Sequence, residues 1–175
     1  NNVPIQATSY ASGRVLRLDM RIAGCNRSYI FVYVPSKAPQ RKRFLASFHA
    51  CIPKDREVVM MGDMNLRTSA LDHEHGAPPN EGSTTWRTIQ ETYGLQDVWR
   101  TRNPKKKQWS FQGNSAQNST RIDRLEDALK LLVRPVAFLV DVCRKPEQLA
   151  KIGILGQPQC ADELGARYVT VVVRV

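Results

Sequence analysis

The chain has 175 residues, 42% hydrophobic and 24% charged, enough for one domain with a core of its own and unlike a disordered or low-complexity segment. With 26 Lys and Arg against 16 Asp and Glu, its formal net charge is +10, which favours a polyanionic partner, nucleic acid first. No apolar run reaches membrane-spanning length, and Cys25, Cys51, Cys143 and Cys160 form no C-x-x-C pair, so the reading is a reduced intracellular protein without a membrane partner, a disulfide framework or a zinc site.

The opening "NNVPIQATSY" lacks an initiator Met and reads as the interior of a longer polypeptide. "GRVLRLDMRI" then alternates apolar and charged residues, the pattern of a half-buried strand, and "AGCN" follows as a turn. "SYIFVYVP" is a β-branched and aromatic run ended by Pro35, the second strand of a hairpin. In "QRKRFLASFHACI" the residues Phe44, Leu45, Phe48 and Ile52 recur at helical spacing until Pro53 stops them. "EVVMMGDMN" is apolar on both faces, which predicts a strand central in its sheet.

A polar loop rich in Gly and Pro, "SALDHEHGAPPNEGSTT", comes next. "STTWRTIQETYG" predicts a helix capped by a Ser or Thr at 83 to 85 and stopped at Gly94. "LQDVWR" and "QWSFQG" flank a basic loop, "TRNPKKK", and "STRIDRL" reads as a short strand. In the tail, "LLVRPVAFLVDVC" and "ARYVTVVVRV" are strand-like, and the residues between them show no clear period. Neither an internal repeat nor a dividing linker occurs.

The chemistry-bearing stretch is "GDMN". Side chains at i and i+2 of a strand face the same way, so Asp63 and Asn65 are expected to project together, with Met64 on the other side. Gly62 allows a close backbone approach. A carboxylate and an amide leaving the carboxyl end of a central strand suit a crevice that handles a phosphate and a hard cation. The plainer reading is a strand ending in a polar turn, where Asp and Asn are common. Two other features bear on function. Lys105, Lys106 and Lys107 beside Trp109 and Phe111 combine phosphate-binding charge with an aromatic surface; a solvated loop over core aromatics is the alternative. His73 and His75 of "DHEH" could offer two metal ligands, but no third is in view, and solvated loop histidines are the simpler account.

Order decides between these readings. "FVYVPS" precedes "GDMN", and "STRIDRL" follows beyond "GLQDVWRTRNP". This arrangement resembles the endonuclease/exonuclease/phosphatase superfamily, whose strands carry Y-x-P, then G-D-x-N, then R-[IL]-D. The segment "GLQDVWRTRNP" with "QWSF" looks most like the endonuclease domain of non-LTR retrotransposons. The resemblance covers about residues 10 to 125 of a single domain spanning 1–175, with the tail 126–175 divergent. It implies an α/β fold, a four-layer sandwich of two mixed, mostly antiparallel sheets flanked by helices, incomplete at the N-terminus. It also implies phosphodiester hydrolysis with Mg²⁺ (or Mn²⁺), DNA as partner, a reverse transcriptase region in the same polyprotein and a nuclear location.

Carried over residue by residue, Tyr33 orients or polarises the phosphate and Asp63 activates the attacking water. Asn65 holds the phosphate or Asp63 itself, and Asp123 is the carboxylate that orients a catalytic His. Ser119 or Thr120, with Arg121 beside them, touches the DNA backbone. Asp63 is also the available part of a metal shell. The family's metal-holding Glu and first-strand Asn would precede residue 1, and no His occurs after His75 where the family ends in Ser-Asp-His. Metal binding and catalysis are therefore expected to be impaired. The alternatives are a nucleic-acid-binding remnant without catalysis and an apurinic-site repair nuclease, against which "GLQDVWRTRNP" argues. A phosphoinositide or sphingomyelin phosphodiesterase would not need this charge.

Overall fold

The computed structural model describes residues 4–22, 24–112 and 119–127. Six strands form one mixed sheet: β1 (Ile5–Tyr10), β2 (Val15–Ile22), β3 (Cys25–Tyr33), β4 (Glu57–Asp63), β5 (Gln96–Asp97) and β6 (Asp123–Asp127), in the order β1-β2-β3-β4-β6-β5. Three helices accompany them: α1 (Ala38–Phe48), α2 (Ser83–Tyr93) and α3 (Val98–Arg102). Only β3 and β4 run parallel, joined through α1; every other pair is antiparallel. The mixed, mostly antiparallel α/β character expected from the sequence is what forms. The second sheet of the expected sandwich is not among the described residues, and both tail strands lie outside them.

β4 is central, as its two-sided apolar pattern requires, and Val58 to Gly62 are all buried. Val58 and Met60 join Ile30, Val32 and Val15 on the face that receives α1 and α2. There Phe48 stacks near Phe44, with ring centroids 5.3 Å apart, and meets the fully buried Trp86 at 6.1 Å. The opposite face carries a smaller cluster, Ala7 and Leu18 with Ile5, Leu16, Met20, Tyr29 and Phe31 packed partly over it. Residues on that face share the side of the sheet from which Tyr33 and Asp63 emerge, by the two-residue alternation of a strand.

Three local expectations change. The opening residues form a strand, β1, whose Thr8 is buried although the run looks polar. The hairpin turn is tighter than "AGCN": Ile22 pairs with Cys25, so Cys25 and Asn26 already belong to β3. α2 is capped by neither Ser nor Thr but by Gly82, held at φ +95°, a left-handed conformation that places no side chain against Leu45 and Leu66.

Candidate active site

Strand register builds the site. Tyr33 pairs with Asp63 across the parallel β3–β4 ladder, and Asp63 pairs with Asp123 across the antiparallel β4–β6 ladder. Directly opposed residues on neighbouring strands point to the same side of a sheet. Tyr33, Asp63 and Asp123 therefore form one row at the carboxyl end of the central strand. The ladder continues past its formal end, with Val34 N–H donating to Asp63 O at 2.9 Å and Met64 N–H to Ile122 O at 2.9 Å.

Gly62 makes this row possible. Its φ is +143°, and a Cβ there would lie 2.0 Å from the carbonyl oxygen of Val32. Any larger residue would push β3 and β4 apart one residue before Asp63.

Asn65 reaches Asp63 by a different route from the expected strand alternation. Its φ of +46° is left-handed, so the chain turns rather than extends. The turn lets Asn65 N–H donate to Asp63 Oδ1 at 2.8 Å and Asn65 Nδ2 to Asp63 Oδ2 at 3.1 Å, while Nδ2 also donates to Val34 O at 2.7 Å. Asn65 thus holds the Asp63 carboxylate and ties it to the segment after Tyr33. Asn80, hidden in a turn-like "APPNEG", supports this: its Nδ2 donates to Asn65 O at 3.1 Å and its Oδ1 accepts from Arg67 N–H at 3.0 Å. Nothing in local spacing marked Asn80, fifteen residues away from its partner.

Burial pushes the Asp63 carboxyl up to about 6; the Asn65 hydrogen bonds pull it down and the charge of Asp123 raises it. A carboxylate in that range is mostly ionised at pH 7 and still basic enough to accept a proton from water. Tyr33 is half exposed, with the Arg14 guanidinium 5.3 Å from its ring centroid. Asp123 is positioned by Ser110, whose Oγ accepts from the N–H of Ile122 at 3.1 Å and of Asp123 at 3.0 Å. Ser110 lies inside "QWSF", where the aromatics drew attention and the serine did not.

The residues expected to face DNA separate into two sets. Lys105, Lys106 and Lys107 are exposed on the loop after α3, Lys107 Nζ donating to Glu74 O at 2.9 Å. Trp109 is half buried and, with Trp99, Met61, Leu125 and Asp123, lines a cleft of about 410 Å³ between that loop and the sheet. Thr120 is half buried and bridges to both His73 and Phe111. Ser119 and Arg121, by contrast, are turned inward.

Arg121 corrects the sequence reading most clearly. It is 4% exposed and bound to Asp72 Oδ1 at 3.1 Å and to both oxygens of Asp97. Arg124 joins the same two carboxylates, each at 2.8 Å, and Arg100 reaches Asp72 at 2.9 Å. Asp72 is fully buried, and these arginines outweigh its desolvation and hold its carboxyl well below the usual range. The network locks the loop after β4 to β5, α3 and β6, which keeps Asp123 in its row. Asp72 therefore serves the fold. His73 beside it accepts the His75 N–H at Nδ1, 3.2 Å.

Among the described residues, no group of three or more His, Cys, Asp or Glu is gathered to hold a metal ion. Asp63 and Asp123 remain as neighbouring carboxylates, one of them raised partly by the other. Such a pair suits a Mg²⁺ that keeps most of its waters and accepts one or two carboxylates.

No protein-family model matches the chain. A Xenopus laevis protein, the transposon TX1 uncharacterized 149 kDa protein, is 30% identical over 137 residues, 74% of this chain, and the chain spans about a tenth of that protein's length. Among solved structures, the 3′ phosphatase NExo from Neisseria, bound to a product DNA hairpin, superposes with a TM-score of 0.51 at 18% identity, over 66% of this chain and 52% of its own. The chain has the endonuclease/exonuclease/phosphatase fold. The endonuclease domain of TRAS1, a telomere-specific non-LTR retrotransposon, superposes less closely, with a TM-score of 0.44 at 11% identity over 95% of this chain and 68% of that one. Within the endonuclease/exonuclease/phosphatase fold, the row Tyr33, Asp63 and Asp123 stands at the carboxyl ends of the parallel pair, the end at which open α/β sheets bind ligands.

Proposed function

We propose that this chain is the DNA endonuclease domain of a retrotransposon-type polypeptide, built to bind duplex DNA and cleave a phosphodiester, and that these 175 residues hold only part of the cleaving machinery. The observation that carries the reading is the register Tyr33–Asp63–Asp123, with Asn65 folded back onto Asp63. Likeness to a transposon protein and the net charge of +10 supply the nucleic-acid context. The reverse transcriptase region of the same polypeptide and a nuclear setting belong to this proposal.

In this account Tyr33 presents its exposed hydroxyl to a phosphate oxygen, and Asp63 takes a proton from the attacking water. Asn65 keeps the Asp63 carboxylate aimed and fixes its distance from the Tyr33 segment. Asp63 and Asp123 would hold Mg²⁺ or Mn²⁺, which when bound supplies charge stabilisation at the phosphate. Lys105 and Lys106 meet the backbone beside the cleft, and Trp109 offers a surface for a base.

The test of the nucleic-acid half is titration of a fluorescently labelled duplex at 50 and 200 mM salt. Phosphate contacts release counterions, so binding should show little sequence preference and weaken by on the order of a hundredfold or more between the two if several phosphates are gripped. Salt-independent binding, or none at low salt, would overturn it. A second reading, a nucleic-acid-binding remnant without catalysis, rests on the same net charge of +10 and on the lack of any His after His75.

A further inference from the structure

Arg67 lies two residues beyond Asn65, and no other group in the account above uses its side chain. Its backbone is clamped on both sides by Asn80, which accepts the Arg67 N–H at 3.0 Å and donates its own N–H to Arg67 O at 3.2 Å. The same Asn80 holds Asn65 O. Arg67 is thereby fixed in the loops at the carboxyl ends of β3 and β4, from which Tyr33 and Asp63 emerge.

Among the described residues the side chain has no hydrogen-bond or ion-pair partner. The residue is only partly exposed, its Nε is shut off from solvent, and that Nε has no hydrogen-bond acceptor. Among the described residues no carboxylate forms an ion pair with it, whereas Arg17, Arg27, Arg56, Arg100, Arg121 and Arg124 all have one. Its neighbours make matters worse. Arg41, 5% exposed and donating to Pro35 O, Ser36 O and Glu81 O, feels the Arg67 charge as a repulsion, and the same charge, after burial, helps hold His73 below the ordinary histidine range. Glu81 is the acid near Arg41, and Glu74 the acid near His73.

A half-buried guanidinium whose Nε lacks an acceptor and which lies near another guanidinium is costly unless something anionic arrives. Because guanidinium is planar and always charged, its fork of N–H donors matches a phosphate oxyanion in two parallel hydrogen bonds. We propose that Arg67 forms a phosphate-binding site on the rim of the Asp63–Asn65 turn, gripping a backbone phosphate next to the one that is cleaved. Swinging outward onto that phosphate satisfies Nε–H and relieves the repulsion from Arg41. The assignment rests on the DNA-binding reading for the identity of the ligand, but the oxyanion site itself is independent of it.

Two arms separate these claims. In the first, inorganic phosphate is titrated into the unaltered 175-residue chain while the Arg67 Nε–H resonance is followed by NMR. A saturable shift is expected, and a resonance that does not move overturns the site. In the second, duplex binding is measured against salt for the unaltered chain, Arg67→Gln and Arg67→Lys. Losing one phosphate contact should lower the slope of log affinity against log salt by about 0.9 and weaken binding about tenfold at low salt in Arg67→Gln. Arg67→Lys should recover most of the slope, since it keeps the charge. Equal slopes for the unaltered chain and Arg67→Gln overturn the assignment to DNA. If the unaltered chain binds no duplex yet phosphate shifts the Nε–H signal, the oxyanion site stands and the nuclease reading falls.

Discussion

Asp63 and Asp123 oppose each other across the β4–β6 ladder, and the charge of Asp123 helps keep the Asp63 carboxyl near 6. Burial is the larger cause, so removing the neighbour should lower the Asp63 midpoint without returning it to the free value of 3.8. Carboxyl NMR titration of the unaltered chain and of Asp123→Asn measures both. As pH falls through about 6, Asp63 takes up a proton and ceases to act as a base or a cation ligand. An Asp63 midpoint indifferent to Asp123→Asn would mean that the two carboxylates do not face one another.

Gly62→Ala should be among the most damaging single changes in the described fold. The added methyl meets the Val32 carbonyl at 2.0 Å, and φ +143° is a backbone conformation that alanine rarely adopts. Backbone on the central ladder cannot yield as a side chain tip can. Loss of soluble protein, or an unfolding free energy from urea denaturation lowered by on the order of 3 kcal/mol or more, is the outcome expected for strain at such a site. A variant as stable as the parent would show that β3 and β4 are not packed this closely.

Asp72→Ala tests the arginine network. Removing the fully buried carboxylate takes the ion pair from Arg100 and leaves Arg121 and Arg124 sharing Asp97. Breaking a buried ion pair typically costs about 3–5 kcal/mol, because the partner charge stays buried. Chemical denaturation should show a loss of that order. The Asp72 contribution is present above the ordinary aspartate pKa and is lost only as pH falls well below it, since the folded carboxyl is depressed.

Glu126 behaves oppositely. Fully buried, next to Asp97 and bonded through Oε2 to Gln90 Nε2 at 2.9 Å, its carboxyl is pushed up to about 7, chiefly by burial. The folded state therefore holds this proton more tightly than the unfolded state, so stability from Glu126 is greatest below about 4.5 and declines as pH rises through 7. Glu126→Gln keeps the neutral shape. It should flatten the pH dependence of the melting temperature between 5 and 8 and raise stability at the alkaline end. An unchanged slope would place the ionised form at ease in the core.

Much of this was readable in the chain itself, for physical reasons that differ between elements. β4 announces itself because a strand buried on both faces must be apolar at every position, and α1 because Phe44, Leu45 and Phe48 repeat at helical spacing. The order Tyr33, Asp63, Asp123 was legible, and the register then brings them into one row. β1 was not, because Thr8 is buried inside a polar-looking run. The left-handed turn at Asn65 was invisible to an argument from strand alternation. Arg121 looked like a surface cation because its partners, Asp72 and Asp97, are 49 and 24 residues away. Local periodicity carries no signal for pairings at that range. Ser110 and Asn80 were missed for the same reason: each acts through long-range hydrogen bonds rather than through a pattern.

The measurement that bears most directly on the function is nicking of supercoiled plasmid by the 175-residue chain with Mg²⁺, run beside Asp63→Ala. Asp63, Asn65 and Asp123 can position water and phosphate, but no third ligand joins them among the described residues and no His follows His75. Groups that act as a unit lose most of their rate when one is lacking. The account predicts that the chain binds the plasmid yet nicks it at or near the background seen with Asp63→Ala. Robust Mg²⁺-dependent nicking that disappears in Asp63→Ala would contradict it and show that these residues make a complete catalytic site.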